Sequence, residues 1–124
     1  MKSFLFLSCI FLSVNLFSQA DISFKETKHN FGKIKKDVPA TYVFTYTNKA
    51  TKPVVIEFAN AECGCTKPVY SNAPIPVGKT STIKVTYNAA TMGTFKKNVD
   101  VKFAHSNQPY TLTINGEVVE IKKK

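Results

Sequence analysis

Apolar side chains recur at every second position through much of residues 21–124, and this alternation constrains the fold more than any other feature of the sequence. Successive side chains of a β-strand point to opposite faces, so the pattern predicts strands with one buried and one exposed face. A helical period of 3.6 residues is nowhere sustained. The sequence therefore predicts an all-β protein.

The turn residues divide this pattern into about seven short strands, as is typical of an antiparallel β-sandwich with an immunoglobulin-like fold. The predicted strands are Ile22 to Lys28 with a kinked piece around Phe31, Gly32 and Ile34, then Ala40 to Asn48, Val54 to Phe58, Ser81 to Tyr87, Phe95 to Phe103, and a last strand carrying Tyr110, Leu112, Ile114 and Val118. The segment from Pro68 to Pro76 is predicted to be too irregular for central strands. An antibody-type domain is excluded, because the chain has no tryptophan and no long-range cysteine pair.

The first 20 residues read as a secretory signal peptide. Lys2 supplies a positive start, Phe4 to Phe17 form an apolar run, and Ser18-Gln19-Ala20 provides small residues before a cut at Asp21. The apolar run is shorter than the roughly 20 residues of a membrane span. We therefore expect residues 1–20, with Cys9, to be removed and residues 21–124 to form a single exported domain, periplasmic or secreted, without a transmembrane segment.

The chain is basic, with a net charge of +9 that falls to +8 without Lys2, and its basic residues are all lysine. Proteins that read nucleic acids rely on arginine for bidentate and stacked contacts, so the composition argues against a nucleic-acid partner. Exported basic proteins meet acidic partner proteins or anionic envelope polymers. Solvated lysines on the strands also keep sheet edges from aggregating.

Cys63 and Cys65 are the only cysteines after the leader, and one residue separates them. They can form a local disulfide that shapes the loop, remain a reduced packed pair, hold a soft metal ion such as Cu(I) or Zn, or act in thiol exchange. A metal site would need a further ligand, for which the candidates are His29, His105 and Met92. A catalytic redox pair would normally have the spacing C-x-x-C and lie at a helix N-terminus.

Several motifs in a fixed order carry a resemblance. They are FGKI (Phe31 to Ile34), YTN (Tyr46 to Asn48), ECGCTKP (Glu62 to Pro68), PIPVGKT (Pro74 to Thr80), MGTFKK (Met92 to Lys97) and LTINGEV (Leu112 to Val118). The chain resembles the exported bacterial family catalogued as domain of unknown function 1573. The resemblance implies an immunoglobulin-like sandwich outside the cytoplasm, and it implies no catalytic residue and no ligand. Glu62 departs from the family, which more often has a small residue there, and this puts an acid beside the thiols.

The other motifs offer little chemistry. Ala73 to Thr80 matches a relaxed phosphate-loop pattern, but its prolines remove amide donors and a strand follows where a helix is required, so we interpret it as a tight turn at Gly78. The two histidines are predicted to be exposed loop residues. The carboxylates are scattered, and no pair has a spacing suited to acid–base catalysis. The sequence therefore predicts no enzyme and no cofactor.

Two functional hypotheses follow. The first is a non-enzymatic binding or structural module of the bacterial cell envelope, whose partner is another envelope protein or an anionic polymer. Its binding loop would carry Glu62, Gly64, Thr66, Lys67 and Pro68 around the cysteines. The alternative is a small Cu or Zn carrier, or a thiol-redox carrier, that uses Cys63 and Cys65.

Overall fold

The computed structural model describes residues 21–120, so the predicted leader, Cys9 and the lysines at the end of the chain lie outside the described residues. Eight strands form two sheets of four strands each, and the described residues contain no helix. The strands are β1 (Ile22–Phe24), β2 (Lys28–Lys35), β3 (Ala40–Asn48), β4 (Ile56–Ala61), β5 (Thr66–Tyr70), β6 (Thr80–Tyr87), β7 (Gly93–Phe103) and β8 (Tyr110–Val119). The predicted all-β sandwich is confirmed.

The first sheet has the strand order β1-β3-β6-β5, and the second has the order β2-β8-β7-β4. Their inner faces enclose one core made of the alternating apolar residues. The core residues are Ile22, Phe44, Tyr46, Ile56, Ile83, Val85, Tyr87, Ala89, Phe95, Val99, Val101, Phe103, Leu112, Ile114 and Val118. Aromatic rings join the two sheets, with Tyr46 packed edge-on against Phe103 at 5.4 Å and Tyr87 stacked on Phe95 at 3.9 Å. The alternation therefore predicted the buried face correctly for the long strands.

The prediction of one strand from Ile22 to Lys28 is wrong. β1 ends at Phe24 and pairs with β3 in the first sheet, whereas β2 begins at Lys28 and pairs with β8 in the second. The chain crosses between the sheets at this point, so β1 and β2 are separate strands. The β2–β8 pairing is also parallel, which corrects the prediction of a purely antiparallel sandwich.

Two further boundaries differ from the sequence prediction. The strand predicted at Val54 to Phe58 is β4, which runs from Ile56 to Ala61, and Val54 instead makes an isolated bridge to Ile75. Thr66, Lys67 and Pro68 belong to strand β5 rather than to a loop. β5 tolerates Pro68 because it lies at the edge of its sheet, where an amide that faces outward has no ladder partner to lose.

The hydroxyl of Tyr46 is buried and makes no hydrogen bond to the described residues. Burial is the main influence on this phenol and raises its pKa. The folded protein therefore keeps the phenolic proton at pH values where the unfolded chain has lost it. The contribution of this group to the free energy of unfolding is fully present below the ordinary tyrosine pKa of about 10 and is lost as the pH rises above that value.

We therefore expect the variant Tyr46→Phe to be as stable as the wild type at pH 7, within about 0.5 kcal/mol, because no hydrogen bond is lost. As the pH rises through about 10 and beyond, the wild type should lose stability faster than the variant. Urea unfolding of both proteins between pH 7 and pH 11 measures the difference. A difference in unfolding free energy that does not change with pH would contradict the expectation.

Candidate functional site

The cysteine segment forms the crossover between the two sheets at one side of the sandwich. β4 is an edge strand of the second sheet, β5 is an edge strand of the first, and residues 62–65 connect them. A chain that changes sheets over so few residues must turn sharply. The position of Cys63 and Cys65 is therefore the place where a local constraint on the backbone has the greatest effect.

Cys63 and Cys65 are joined by a disulfide in the structure, with their Cα atoms 5.2 Å apart. The carbonyl of Cys63 accepts a hydrogen bond from the amide of Thr66 at 3.3 Å, and the carbonyl of Cys65 accepts one from the amide of Asn88 at 2.9 Å. The hydroxyl of Thr66, which is buried, lies 4.0 Å from the Cys63 sulfur and 3.7 Å from the Cys65 sulfur. Backbone hydrogen bonds thus hold the loop at both ends, the Thr66 hydroxyl packs against the disulfide, and Gly64 between the two half-buried cysteines is exposed.

The Glu62 carboxylate is bonded to the backbone of β7. Its Oε1 atom accepts a hydrogen bond of 2.9 Å from the amide of Asn98, and the Glu62 amide donates to the Asn98 carbonyl at 3.3 Å. Glu62 therefore forms the last hydrogen-bonded pair between the end of β4 and β7. Of the other predicted loop residues, Lys67 is exposed and Pro68 is half-buried on β5.

Two more loops join the cysteine crossover to form a surface that we call the tip, defined as residues 36–39, 62–65 and 88–92. The amide of Asp37 donates to the carbonyl of Ala89 at 2.9 Å, and the amide of Asn88 donates to Cys65. Asp37 and Ala89 both have left-handed backbone conformations, with φ of 65° and 58°. The three loops are therefore fastened to one another by backbone contacts that fix their relative positions.

The tip carries exposed apolar side chains. Val38 is 50% exposed and Met92 is 48% exposed, although both types are usually buried. A Cβ atom added at Gly64 would meet no atom within 4 Å, so the surface beside the disulfide is open. The cysteines are evident from the sequence, whereas their neighbours at residues 36–39 and 88–92 could not be predicted from it, because that proximity arises only from strand pairing.

The candidate metal ligands do not converge on the cysteines. His29 lies within β2, half-buried and stacked on Tyr42 with ring centroids 3.6 Å apart, so its prediction as an exposed loop residue is wrong. His105 is exposed in the turn between β7 and β8, and of the three candidates only Met92 belongs to the tip. Among residues 21–120, no group of three or more His, Cys, Asp or Glu side chains is placed to hold a metal ion.

The opposite end of the sandwich has a cleft of about 650 Å³ that no sequence pattern indicates. It lies between the start of β1, the β3–β4 loop and the β7–β8 turn. Its lining includes Asp21, Lys49, Lys52, Phe103, His105 and Tyr110. Gly78, in the segment that resembled a phosphate loop, has a φ of +80° in the turn before β6 and donates its amide to the Asn48 carbonyl at 2.9 Å. That segment is thus a turn between strands.

The two packed sheets define an immunoglobulin-like domain. Its cysteine segment connects an edge strand of one sheet to an edge strand of the other. The chain belongs to the family described as protein of unknown function, DUF1573, whose pattern matches residues 22–118. No curated protein matches the sequence.

Solved structures share the fold at very low sequence identity. The ASH/PapD-like domain 7 of human CEP192 superposes with a TM-score of 0.71 and 9% identity over 82% of this chain and 87% of that one. A protein of unknown function from Porphyromonas gingivalis W83 superposes with a TM-score of 0.67 and 9% sequence identity, over 83% of this chain and 51% of that one. The VesB protease of Vibrio cholerae superposes with a TM-score of 0.62 and 13% sequence identity, over 78% of this chain and 32% of the protease chain. These likenesses show the fold alone. Within residues 21–120, no helix is long and apolar enough to cross a membrane.

Proposed function

We propose that this protein is an exported, non-enzymatic binding module of the bacterial cell envelope and that the tip is its recognition surface. The fold itself hosts unrelated functions, so the proposal depends on the site. The observation that carries it is the pair of exposed apolar side chains, Val38 and Met92, on loops that are fastened to a disulfide-closed crossover.

Rigidity and apolar exposure together favour binding. An exposed apolar side chain gains free energy when a partner covers it, and a loop that is already ordered loses little conformational entropy on binding. The disulfide and the hydrogen bond from Asn88 to Cys65 supply that order. Loops at the end of a sandwich are also the segments that such folds use most often for recognition.

The charge of the tip indicates the kind of partner. Its charged residues are Lys36, Asp37 and Glu62, so this surface has a slightly negative net charge on an otherwise basic protein. An anionic polymer would be attracted to the lysine-rich strands rather than to the tip. Another envelope protein with an apolar contact surface is therefore the partner that the tip fits better.

Replacing both Cys63 and Cys65 by Ser tests the proposal. The double variant should remain folded and lose about 1.5 kcal/mol of stability, the loop-entropy value for so short a ring. Its capture of the partner from an envelope extract should fall at least about tenfold, which corresponds to about 1.4 kcal/mol of binding free energy. Quantitative mass spectrometry of proteins retained by the immobilised wild type and variant provides the comparison.

The matched control is Val77→Ser, since Val77 is 51% exposed and precedes the Gly78 turn, away from the tip. This variant should capture the same proteins as the wild type. Equal capture by the double cysteine variant would remove the disulfide loop from the recognition surface. Loss of capture in the Val77 variant alone would move the binding site to the opposite end.

A further inference from the structure

Three of the four sheet edges are poor acceptors for an added strand. β1 has three residues, which is too short for a stable ladder. β2 has a register shift between Asn30 and Lys33 and exposes Lys28, Lys33 and Lys35. Short strands, bulges and lysines are the usual means by which proteins protect an edge from pairing.

The edge of β5 is blocked by Pro68. Because the carbonyl of Cys65 accepts the Asn88 amide, residues 65, 67 and 69 direct their backbone groups toward β6 in the antiparallel register. Alternation then places the backbone of Pro68 on the free side, where a proline has no N–H to offer. A strand that approached β5 would meet a missing donor at its centre.

The edge of β4 has a register shift between Ile56 and Phe58, but from Phe58 to Ala61 its pairing with β7 is regular. The Glu62 amide pairs with the Asn98 carbonyl, and in that register Asn60 and Phe58 are bonded to β7 while Ala59 and Ala61 are not. The amide and carbonyl groups of Ala59 and Ala61 therefore point away from the sheet. The strand contains no proline and no lysine, and the two alanine side chains leave the approach open.

Acidic side chains border this free edge. Glu57 and Glu62 flank the outer face of β4, and Asp100 lies opposite Asn60 on β7. Among β4, Glu62 and the residues of β7 that pair with them, the one lysine is Lys102, which makes a salt bridge to Glu57 at 2.6 Å. The surroundings of β4 are thus negative on a chain whose net charge is +9, and close charges outweigh distant ones because salt screens interactions beyond about 8 Å.

We propose that the free edge of β4 accepts an extended, lysine- or arginine-bearing segment of a partner protein as an added strand. The inference rests on the proposed binding function and specifies the partner for it. Backbone groups of Ala59 and Ala61 supply the pairing, and basic side chains at alternate positions of the partner face Glu57 and Glu62 on the outer face of the sheet, where Asp100 lies one strand further in. Because β4 leads directly into residues 62–65, the same partner reaches the tip.

Amide hydrogen exchange tests the proposal residue by residue. In the free protein, the amides of Ala59 and Ala61 should exchange faster than the amide of Asn60, which is bonded to β7. A saturating amount of the capped hexapeptide (Lys-Val)₃ should slow exchange at Ala59 and Ala61 by about tenfold or more, the range of protection that an added ladder gives. The hexapeptide (Glu-Val)₃ should bind at least about tenfold more weakly, a difference of about 1.4 kcal/mol.

Three results would overturn the proposal. The first is unchanged exchange at Ala59 and Ala61 when (Lys-Val)₃ is added, and the second is equal binding of the two hexapeptides. The third is protection of both amides in the free protein that disappears on dilution, because a second copy of this chain would then be the occupant of the edge. A form of (Lys-Val)₃ that is N-methylated at every backbone nitrogen should not bind, and equal binding would contradict strand pairing without any change to the protein.

The variant Ala59→Pro separates this inference from the proposed function. It removes an edge donor but no bond to β7, so a folded variant should lose hexapeptide binding. If it captures the envelope partner as the wild type does, while the double cysteine variant does not, the tip stands as the recognition surface and strand addition fails. If both variants lose capture, the partner uses both surfaces.

Discussion

Replacing Asn48 by Asp is expected to lower the free energy of unfolding by about 4 kcal/mol, because it removes the donor of two hydrogen bonds and buries a carboxylate against the carbonyls that accepted them. Asn48 is fully buried at the end of β3. Its Nδ2 atom donates to the carbonyls of Lys52 and Ile75, each at 2.9 Å, and its Oδ1 atom accepts the amide of Ala50 at 2.8 Å. One side chain thus ties the β3–β4 loop to the segment before β6.

Chemical unfolding of the wild type and of Asn48→Asp measures this loss. The matched control is Asn30→Asp at an exposed position, where the side chain only accepts a hydrogen bond from the Gly32 amide at 2.8 Å. A carboxylate can accept that bond equally well, so the control should change stability by less than about 0.5 kcal/mol. Similar losses in both variants would contradict the role assigned to Asn48.

Gly116→Val should be the second most damaging change, at about 3 kcal/mol, which is the upper part of the range for overpacking a core. A Cβ atom at position 116 would lie 2.8 Å from the carbonyl oxygen of Gly32 and 3.0 Å from the ring of Phe95. The first neighbour is backbone from the bulge of β2, which pairs with β8, so it cannot move without breaking that pairing. Thermal or chemical unfolding checks the loss.

Gly64→Val is the matched control for this prediction. A Cβ atom at Gly64 meets nothing within 4 Å, and the residue has no left-handed backbone conformation to accommodate. Its stability should stay within about 0.5 kcal/mol of the wild type. If both glycine variants were equally stable, the close approach of β2 to β8 would not be what requires glycine at position 116.

The strands of the fold were predictable where the alternation was long. β3, β6, β7 and β8 each show several apolar residues at a period of two, and these residues fill the core. The strands at the sheet edges were harder to predict, because β1 and the start of β2 form one apparent pattern in the sequence and Pro68 conceals β5. Parallel pairing of β2 with β8 could not be predicted, since it depends on which sheet the chain enters after β1.

The candidate site was predictable only in part. Cys63 and Cys65 were evident from their spacing, whereas the loops beside them come from distant parts of the chain and meet through strand pairing alone. The role of Asn48 was hidden for the same reason, since an asparagine before a polar turn gives no sign that its side chain will be buried. Local patterns predicted the strands and the cysteine loop. Which residues lie next to the cysteine loop and around Asn48 could be seen only in the tertiary structure.

The most direct test of the tip as a recognition surface is site-specific photo-cross-linking in the producing cells. A photoreactive p-benzoylphenylalanine replaces exposed Gly64 in one variant and Val77, which is away from the tip, in the other. A covalent adduct to a discrete envelope protein at position 64, with none at position 77, is the predicted result. Adducts at position 77 and none at position 64 would contradict the proposal.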